Sequence, residues 1–225
     1  MSPRSVLLLS LLASAAIATS LPAQTVPPAA SSTSQAAGPA EFQVKRAEKI
    51  AKDLHLGDAA KTARVSNIIA RQYYDLGLIQ AAYDDALKSA KSEDHHDKKA
   101  FAHAKAAALA AENAATDKLH GAYLARLGAE LTPEQIDAVK DGMTYHVVEV
   151  TYRVYQEMLP TLTPEQKAQI HAWLVEAREH AMDAGTSKAK HAWFGKYKGR
   201  INIYLTKQGY DLKAAEQRLF SKHKH

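Results

Sequence analysis

Apolar residues recur three or four positions apart along most of the chain after Glu41. This spacing is typical of amphipathic α-helices, so the pattern predicts helices over this whole region. A first short helix carries Ile50 and Leu54 and ends at Gly57, and Asp58 is well placed to cap a long second helix. The apolar stripe of that second helix comprises Val65, Ile69, Tyr73, Leu76, Ile79, Tyr83 and Leu87.

Two later segments complete the pattern. Residues 100–127 are dense in alanine, which has the highest helix propensity, and are predicted to be helical. Residues 147–155, VVEVTYRVY, are rich in β-branched side chains that favour a strand, but they also fit helical stripes. Because no partner strand is predicted elsewhere and a lone strand is unstable, we favour a helix there. The prediction is an all-α fold, a single helical-bundle domain of about five to seven helices over residues 41–225.

The pentapeptide LTPEQ occurs twice, starting at Leu131 and at Leu162. In each copy threonine suits the N-cap position, proline suits the first helical position and glutamine suits the third. The threonine and the glutamine together form a capping box. The predicted structural caps are Thr132, Gln135, Thr163 and Gln166. The motif also resembles the LTxxQ signature of the small helical periplasmic stress proteins of the Spy/CpxP chaperone group, which carry two copies. That resemblance covers the two pentapeptides only.

The beginning of the chain has the three-part pattern of a secretory signal peptide: Arg4, an apolar run from Val6, and small residues ending at Ala18. We predict a signal peptide over residues 1–18 and a disordered tether, rich in Pro, Ala, Ser and Thr, over residues 19–40. The expected location is periplasmic or extracellular, without stable membrane insertion after cleavage.

Charge and cysteine content narrow the function classes. The sequence has no cysteine, which excludes disulfides, thiol nucleophiles and a lipid-modified N-terminal cysteine. The formal net charge of +5 is a mild basic excess that does not indicate a nucleic-acid partner, and we expect none. An acidic glycan is the more plausible anionic partner.

The segment HAWFGKYKGRIN, residues 191–202, is the most unusual in the chain. Trp193 and Tyr197 belong to a helical stripe of core type. Gly195 and Gly199 each weaken a helix by about 1 kcal/mol, and we expect this to be offset by close approach of the backbone to another helix or a ligand. Basic side chains among aromatic rings suit a uronic-acid polymer, whereas the alternative is a tight helix crossing with an exposed basic edge. The predicted ligand-binding residues are Lys196, Lys198, Arg200, Phe194 and Tyr197.

A second candidate group lies on the polar flank of the helix that begins at Pro164. Glu176 and His180 are four residues apart and share a face, so with a second element they could bind a metal or supply an acid and a base. The alternative is a solvated helix face. The candidate residues are Glu176, Glu179, His180, Asp183 and His191, with His146 as another possible contributor. His95 and His96 are a weak metal-binding signal; no metal is firmly assigned, and no cofactor is expected.

A family resemblance rests on two runs, TLTPEQKAQIHAWLVEAREHAMDAG and KHAWFGKYKGRINIYLTKQGYDLK. They resemble a family of secreted bacterial proteins of unknown function, DUF3826. The resemblance extends over roughly residues 45–215. It implies a setting in polysaccharide-degrading bacteria, often near pectin-utilisation genes, and it brings no catalytic residues with it.

The sequence contains no GxSxG, P-loop, HExxH or dinucleotide fingerprint, which makes an enzyme less expected without excluding it. The leading hypothesis is a glycan-associated binding or accessory protein for acidic polysaccharide. The alternative is an ATP-independent periplasmic stress chaperone, and the third candidate is a polysaccharide-degrading enzyme.

Overall fold

A computed structural model of the protein describes residues 38–93 and 97–222, which form eight α-helices and no β-strand. The all-α prediction is therefore confirmed. The described part has eight helices, one more than the upper end of the predicted range of five to seven. The predicted signal peptide, most of the predicted tether, and His95 and His96 lie outside the described residues. The helices are α1 (Glu41–Asp53), α2 (Ala59–Glu93), α3 (Lys98–Gly128), α4 (Pro133–Met143), α5 (Val147–Met158), α6 (Pro164–Met182), α7 (Ser187–Lys207) and α8 (Leu212–Lys222).

The two pentapeptides start α4 and α6. Thr163 Oγ1 accepts a hydrogen bond from the Gln166 backbone at 3.2 Å, and the Gln166 side chain accepts from the Thr163 backbone at 3.0 Å. The same reciprocal pair joins Thr132 and Gln135 at 3.3 and 3.1 Å. Each pair satisfies two backbone donors that have no partner within the helix. Local hydrogen bonding thus accounts for threonine and glutamine in both copies.

The ambiguous segment 147–155 lies within α5, as predicted. Tyr145 and His146 precede it with φ angles of 61° and 54°, a left-handed conformation that side chains other than glycine rarely adopt. These two residues turn the chain sharply between α4 and α5. Val148 and Tyr155 are buried on the inner face of α5, whereas Val150 and Val154 are exposed on its other side.

The core has two parts. One lies among α1 to α4 and includes Val65, Tyr123 and Leu127. The other lies among α5 to α8 and includes Leu174 and Phe194. Met182, the last residue of α6, belongs to the first part, so α6 connects the two. Within the described residues, no helix is both long and apolar enough to cross a lipid bilayer.

The turn between α6 and α7 positions the clefts of interest. Gly185 in this turn packs on α2, and a Cβ atom added there would lie 3.3 Å from Cβ of Gln80. Ala184 and Gly185 line one cleft shared with α3 and another shared with α1. The turn therefore forms a wall between two cavities.

Candidate functional site

The basic segment predicted from the sequence lies on α7, where its residues divide between surface and core. Lys196, Lys198 and Arg200 are exposed. Phe194 and Tyr197 are buried, with 2% and 5% of their surface exposed, and they pack in the core with α6. Their assignment as ligand-binding residues is therefore wrong, because rings that fill the space between helices offer no free face to a sugar.

Two tryptophan rings carry cations on the surface formed by α6 and α7. Lys196 Nζ lies 4.8 Å from the centre of the Trp193 ring, and Arg200 Cζ lies 4.6 Å from the centre of the Trp173 ring. Both indoles are partly buried against the core, so they are held rather than loose. We call Trp173, Trp193, Lys196 and Arg200 the α6–α7 cation face.

Neighbouring side chains fix the rings of the α6–α7 cation face. Trp193 stacks on His180, with ring centres 4.4 Å apart and planes within 16°. Trp173 meets Tyr204 edge to face at 5.2 Å. Trp193, which the sequence placed in the core, thus has one face against the protein and the Lys196 ammonium nearby.

Gly195 and Gly199, which are next to these cations in the sequence, have free space around their Cα atoms. A Cβ atom added to Gly195 or Gly199 would meet no described atom within 4 Å. The expected close approach of another helix to these two glycines is therefore not found among the described residues, although the side of α7 that carries Phe194 and Tyr197 packs against α6. The α7 backbone beside Lys196, Lys198 and Arg200 is accessible instead.

The proposed acid–base or metal cluster does not form. Most of the five side chains meet separate partners: Glu179 meets Lys140, Asp183 meets His120 and His191 meets Tyr145. Glu176 pairs with Arg200 and His180 stacks on Trp193, and both also lie near Tyr197. His146, the further contributor considered, lies at the left-handed start of α5. No group of three or more His, Asp or Glu in the described ranges could hold a metal ion. The five residues are therefore not brought together as one group of metal ligands in the described structure.

Asp183 has the most unusual surroundings of that group. Its Oδ2 lies 2.7 Å from Nδ1 of His120, while its Oδ1 is buried with no hydrogen-bond partner among the described atoms. Burial raises the pKa of Asp183 above the ordinary value, although His120 acts in the opposite direction. Asp183, His180 and Trp193 all line a cleft of about 520 Å³ between α3 and the α6–α7 turn.

A buried lysine that the sequence analysis did not select lies on the first turn of α7. Lys190 is 5% exposed, and its Nζ donates to the backbone oxygens of Ala181 at 3.0 Å and Met182 at 2.8 Å. These carbonyls belong to the last turn of α6, where backbone donors within the helix run out. The Ala181 oxygen also accepts from the Ala184 backbone at 3.2 Å. Burial lowers the pKa of Lys190 to about 8.

Arg46 of α1 lies beside this lysine and is held by aromatic groups. Its Nε donates to the hydroxyl of Tyr73 at 2.9 Å, and its Nη2 donates to the Gly142 carbonyl at 3.1 Å. Its guanidinium carbon lies 4.0 Å from the centre of the Tyr145 ring. Arg46 and Lys190 line the same cavity of about 340 Å³, which we call the Arg46–Lys190 pocket. Its other walls are formed by Phe42, Gln43, Tyr73, Leu76, Tyr145 and residues 184–187.

A family profile matches most of the chain. The sequence profile of the family described as "Protein of unknown function (DUF3826)" matches residues 40–225. The chain belongs to this family. A search of curated proteins gave no match. The DUF3826 match includes all eight helices, so the α6–α7 cation face and the Arg46–Lys190 pocket both lie within the family's domain.

One signal for the pocket is present in the sequence of this DUF3826 domain. The buried stripe of α7 runs through Phe194, Tyr197 and Ile201, and one turn further back it passes through Lys190. A lysine on the apolar side of a helix is rarely buried without a specific partner. Arg46 gives no such signal, because it is separated from Lys190 by most of the chain and meets it only in the folded protein.

Proposed function

We propose that this DUF3826 protein is a glycan-associated binding or accessory protein that acts on acidic polysaccharide outside the cytoplasm. The observation that carries the proposal is the pair of cation-bearing indoles, Lys196 over Trp193 and Arg200 over Trp173. Aromatic faces cover the apolar faces of sugars, and guanidinium and ammonium groups pair with carboxylates. Each cation therefore offers a partner for the carboxylate of a uronic acid unit, and the indole face beneath it becomes available to the sugar ring when the cation moves to that carboxylate. The other face of Trp193 is covered by His180.

The spacing of the cations suits a repeating ligand. Lys196 and Arg200 are four residues apart on α7, which corresponds to about 6 Å along the helix axis. Because each cation lies over a different indole, the two can engage carboxylates of different sugar units rather than a single group. The open backbone at Gly195 and Gly199 lets a chain lie close to the helix between them.

The ion pair present on this face is weak enough to be replaced. Arg200 Nη1 and Glu176 Oε2 are 3.5 Å apart, and their side chains are 53% and 49% exposed. Exposed pairs of this kind contribute about 0–1 kcal/mol, so a ligand carboxylate competes easily for Arg200. The held indoles reduce the entropy lost on binding.

The test is calorimetric binding of polygalacturonate, with neutral galactan as the uncharged reference. Lys196→Ala and Arg200→Ala should each weaken polygalacturonate binding by about 1–3 kcal/mol, and added salt should weaken it further. Lys213→Ala, an exposed lysine on α8, is the matched control and should bind as wild type. Normal binding by both folded variants at low salt would remove the α6–α7 cation face as the site.

One observation favours the chaperone alternative. The helices α2 and α3 form an apolar groove of about 370 Å³ lined by Leu78, Ile79, Tyr83 and several alanines. Leu78 is exposed within it, and a surface of that kind can hold unfolded apolar segments. Suppression of the aggregation of a denatured client protein, lost in Leu78→Asp but kept in Lys196→Ala, would favour this function over glycan binding.

A closed pocket joining Glu176, His180 and Arg200 would favour the enzyme hypothesis, which is third in order. Glu176 and Arg200 form an exposed pair, whereas His180 lines the cleft toward α3. Glycan binding is therefore proposed without a catalytic step.

A further inference from the structure

We infer that the Arg46–Lys190 pocket binds a small organic anion, namely one carboxylate carried on a compact body about the size of a single ring. This site is distinct from the α6–α7 cation face and does not depend on polysaccharide binding there. Four structural features lead to it: the charge in the pocket, the donors that remain free, the walls, and the response to pH.

The charge in the pocket is not balanced by a bonded acid. Every hydrogen bond made by Arg46 and Lys190 among the described residues goes to a neutral oxygen of a tyrosine hydroxyl or a backbone carbonyl. Asp183 attracts the Lys190 ammonium electrostatically but makes no hydrogen bond to it; its Oδ2 is bonded to His120, and its Oδ1 is buried without a hydrogen-bond partner among the described atoms. Burying a cation without a bonded counter-ion costs several kcal/mol, and a bound anion offsets that cost.

Both cations keep donors for a ligand. An ammonium has three N–H groups, and Lys190 uses two of them on the last carbonyls of α6. A guanidinium has five, and Arg46 directs one at Tyr73 and one at Gly142. Capping the end of α6 explains why a lysine is present at position 190, but it does not explain why Arg46 shares the cavity. A carboxylate with two acceptor oxygens can take the remaining donors of both side chains.

The walls indicate the rest of the ligand. The cavity of about 340 Å³ is lined by the rings of Phe42, Tyr73 and Tyr145 together with Leu76. That volume lies near the lower end for small-molecule sites, which have mostly apolar walls and a few polar groups. Gln43 and Ser187 supply polar atoms at the same cavity. An inorganic anion would leave the aromatic walls uncovered, whereas a ring bearing a carboxylate would contact both walls and cations.

The pocket should respond to pH through Lys190. The groups that face its ammonium are Arg46 from α1, Tyr73 from α2 and Asp183 at the end of α6. The pKa of Lys190 is lowered to about 8, mainly by burial; Asp183 opposes this lowering and Arg46 contributes to it. Only the protonated form attracts a carboxylate, so affinity should fall as the pH rises above about 8.

The experiment is titration calorimetry on the whole protein at pH 7 with two matched probe pairs, galacturonate with galactose and benzoate with benzyl alcohol. We expect at least one carboxylate to bind while its uncharged partner does not. Arg46→Gln and Lys190→Met should each weaken that binding about tenfold or more. Lys188→Met, an exposed lysine on the same helix, should leave it unchanged. Lys196→Ala should also leave it unchanged, which separates this site from the α6–α7 cation face.

Further measurements cover a variant that does not fold and the outcomes that would contradict the proposal. If Lys190→Met does not fold, as judged by circular dichroism, Arg46→Gln and the pH series on the wild-type protein carry the test. Phosphate binding without carboxylate binding would overturn the organic-anion assignment. Carboxylate binding that survives both Arg46→Gln and Lys190→Met would place the ligand elsewhere, and no binding by any probe would overturn the site itself.

Discussion

Replacing Gly195 and Gly199 by alanine should stabilise the protein. Both glycines lie in the interior of α7 and lack the positive φ found at Gly57 and Gly209. An added Cβ would meet no described atom within 4 Å at either position. Alanine is preferred over glycine inside a helix by about 0.8–1.0 kcal/mol, so each change should add about 1 kcal/mol and the double variant about 2 kcal/mol.

Two other glycines provide controls, because their replacement by alanine should lower the stability of the protein. A Cβ added to Gly142 would lie 3.0 and 3.1 Å from the Cγ atoms of Ile50, where α1 packs on α4. Gly142→Ala should therefore lose stability, since overpacking typically costs about 1–3 kcal/mol. Gly209 has a φ of 90°, so Gly209→Ala should also lose stability through backbone strain. Urea unfolding followed by circular dichroism measures the four single variants and the double variant, and the midpoint shifts give the changes in unfolding free energy if the m-values stay equal.

The same variants test the ligand surface. If the double alanine variant is less stable than wild type while Gly142→Ala behaves as expected, the α7 backbone has a packing partner and our reasoning about this helix fails. If the variant is more stable but loses polygalacturonate binding, the ligand approaches the backbone between Lys196 and Arg200. Unchanged binding would restrict the contact to the side chains.

Two further predictions concern the cap of α6 and the buried lysine. Thr163→Ala should lower the free energy of unfolding by about 1 kcal/mol, because Gln166 N loses its acceptor, while Thr163→Ser should not; urea unfolding measures both. The pKa of Lys190 is lowered from 10.5 to about 8, so between these pH values the folded protein binds fewer protons than the unfolded chain. Wild-type stability relative to Lys190→Met should therefore rise across this window, by up to about 3 kcal/mol, and a flat or falling difference in unfolding free energy would contradict the burial argument.

Features set by short-range chemistry could be predicted from the sequence. The hydrogen bonds of each LTPEQ copy connect residues three positions apart, so the motif alone specifies the helix start. The helix over residues 147–155 required one more step, the argument that a strand needs a partner. Both conclusions depend on backbone hydrogen bonding, which the local sequence largely determines.

Which aromatic side chain of α7 faces the core was harder to predict, because two aromatic residues are adjacent in the sequence. Trp193 and Phe194 differ by about 100° around the helix, and either could head a stripe that continues through Tyr197. The structure has Phe194 in the core and Trp193 at its edge. The periodicity of hydrophobic residues cannot choose between them, since the choice depends on the surface that α6 presents.

Contacts between distant helices could not be predicted in this way. The candidates from Glu176 to His191 looked like one group along the chain, but Lys140 from α4 and His120 from α3 each take one of them. Conversely, Arg46 and Lys190 share a pocket although nothing in the sequence connects them. Pairing of charges depends on tertiary geometry, so a list of charged residues on one helix overestimates how many act together.

The contacts that each cation makes distinguish the cations that stabilise the fold from the cations that we propose bind anionic ligands. Arg178 is buried between Asp137 and Asp141, with its Nη atoms 2.6 and 3.0 Å from their carboxylates, and it joins α4 to α6. Arg46 and Lys196 lie instead over aromatic rings and form no ion pair among the described residues. Arg200 also lies over a ring, and its one ion pair, with Glu176, is exposed and long at 3.5 Å. A carboxylate already bonded to a cation competes with any anionic ligand, whereas an aromatic ring holds the cation and leaves its N–H groups available. The aromatic partners, rather than the mild net charge of +5, are therefore what identify the two surfaces proposed to bind anions.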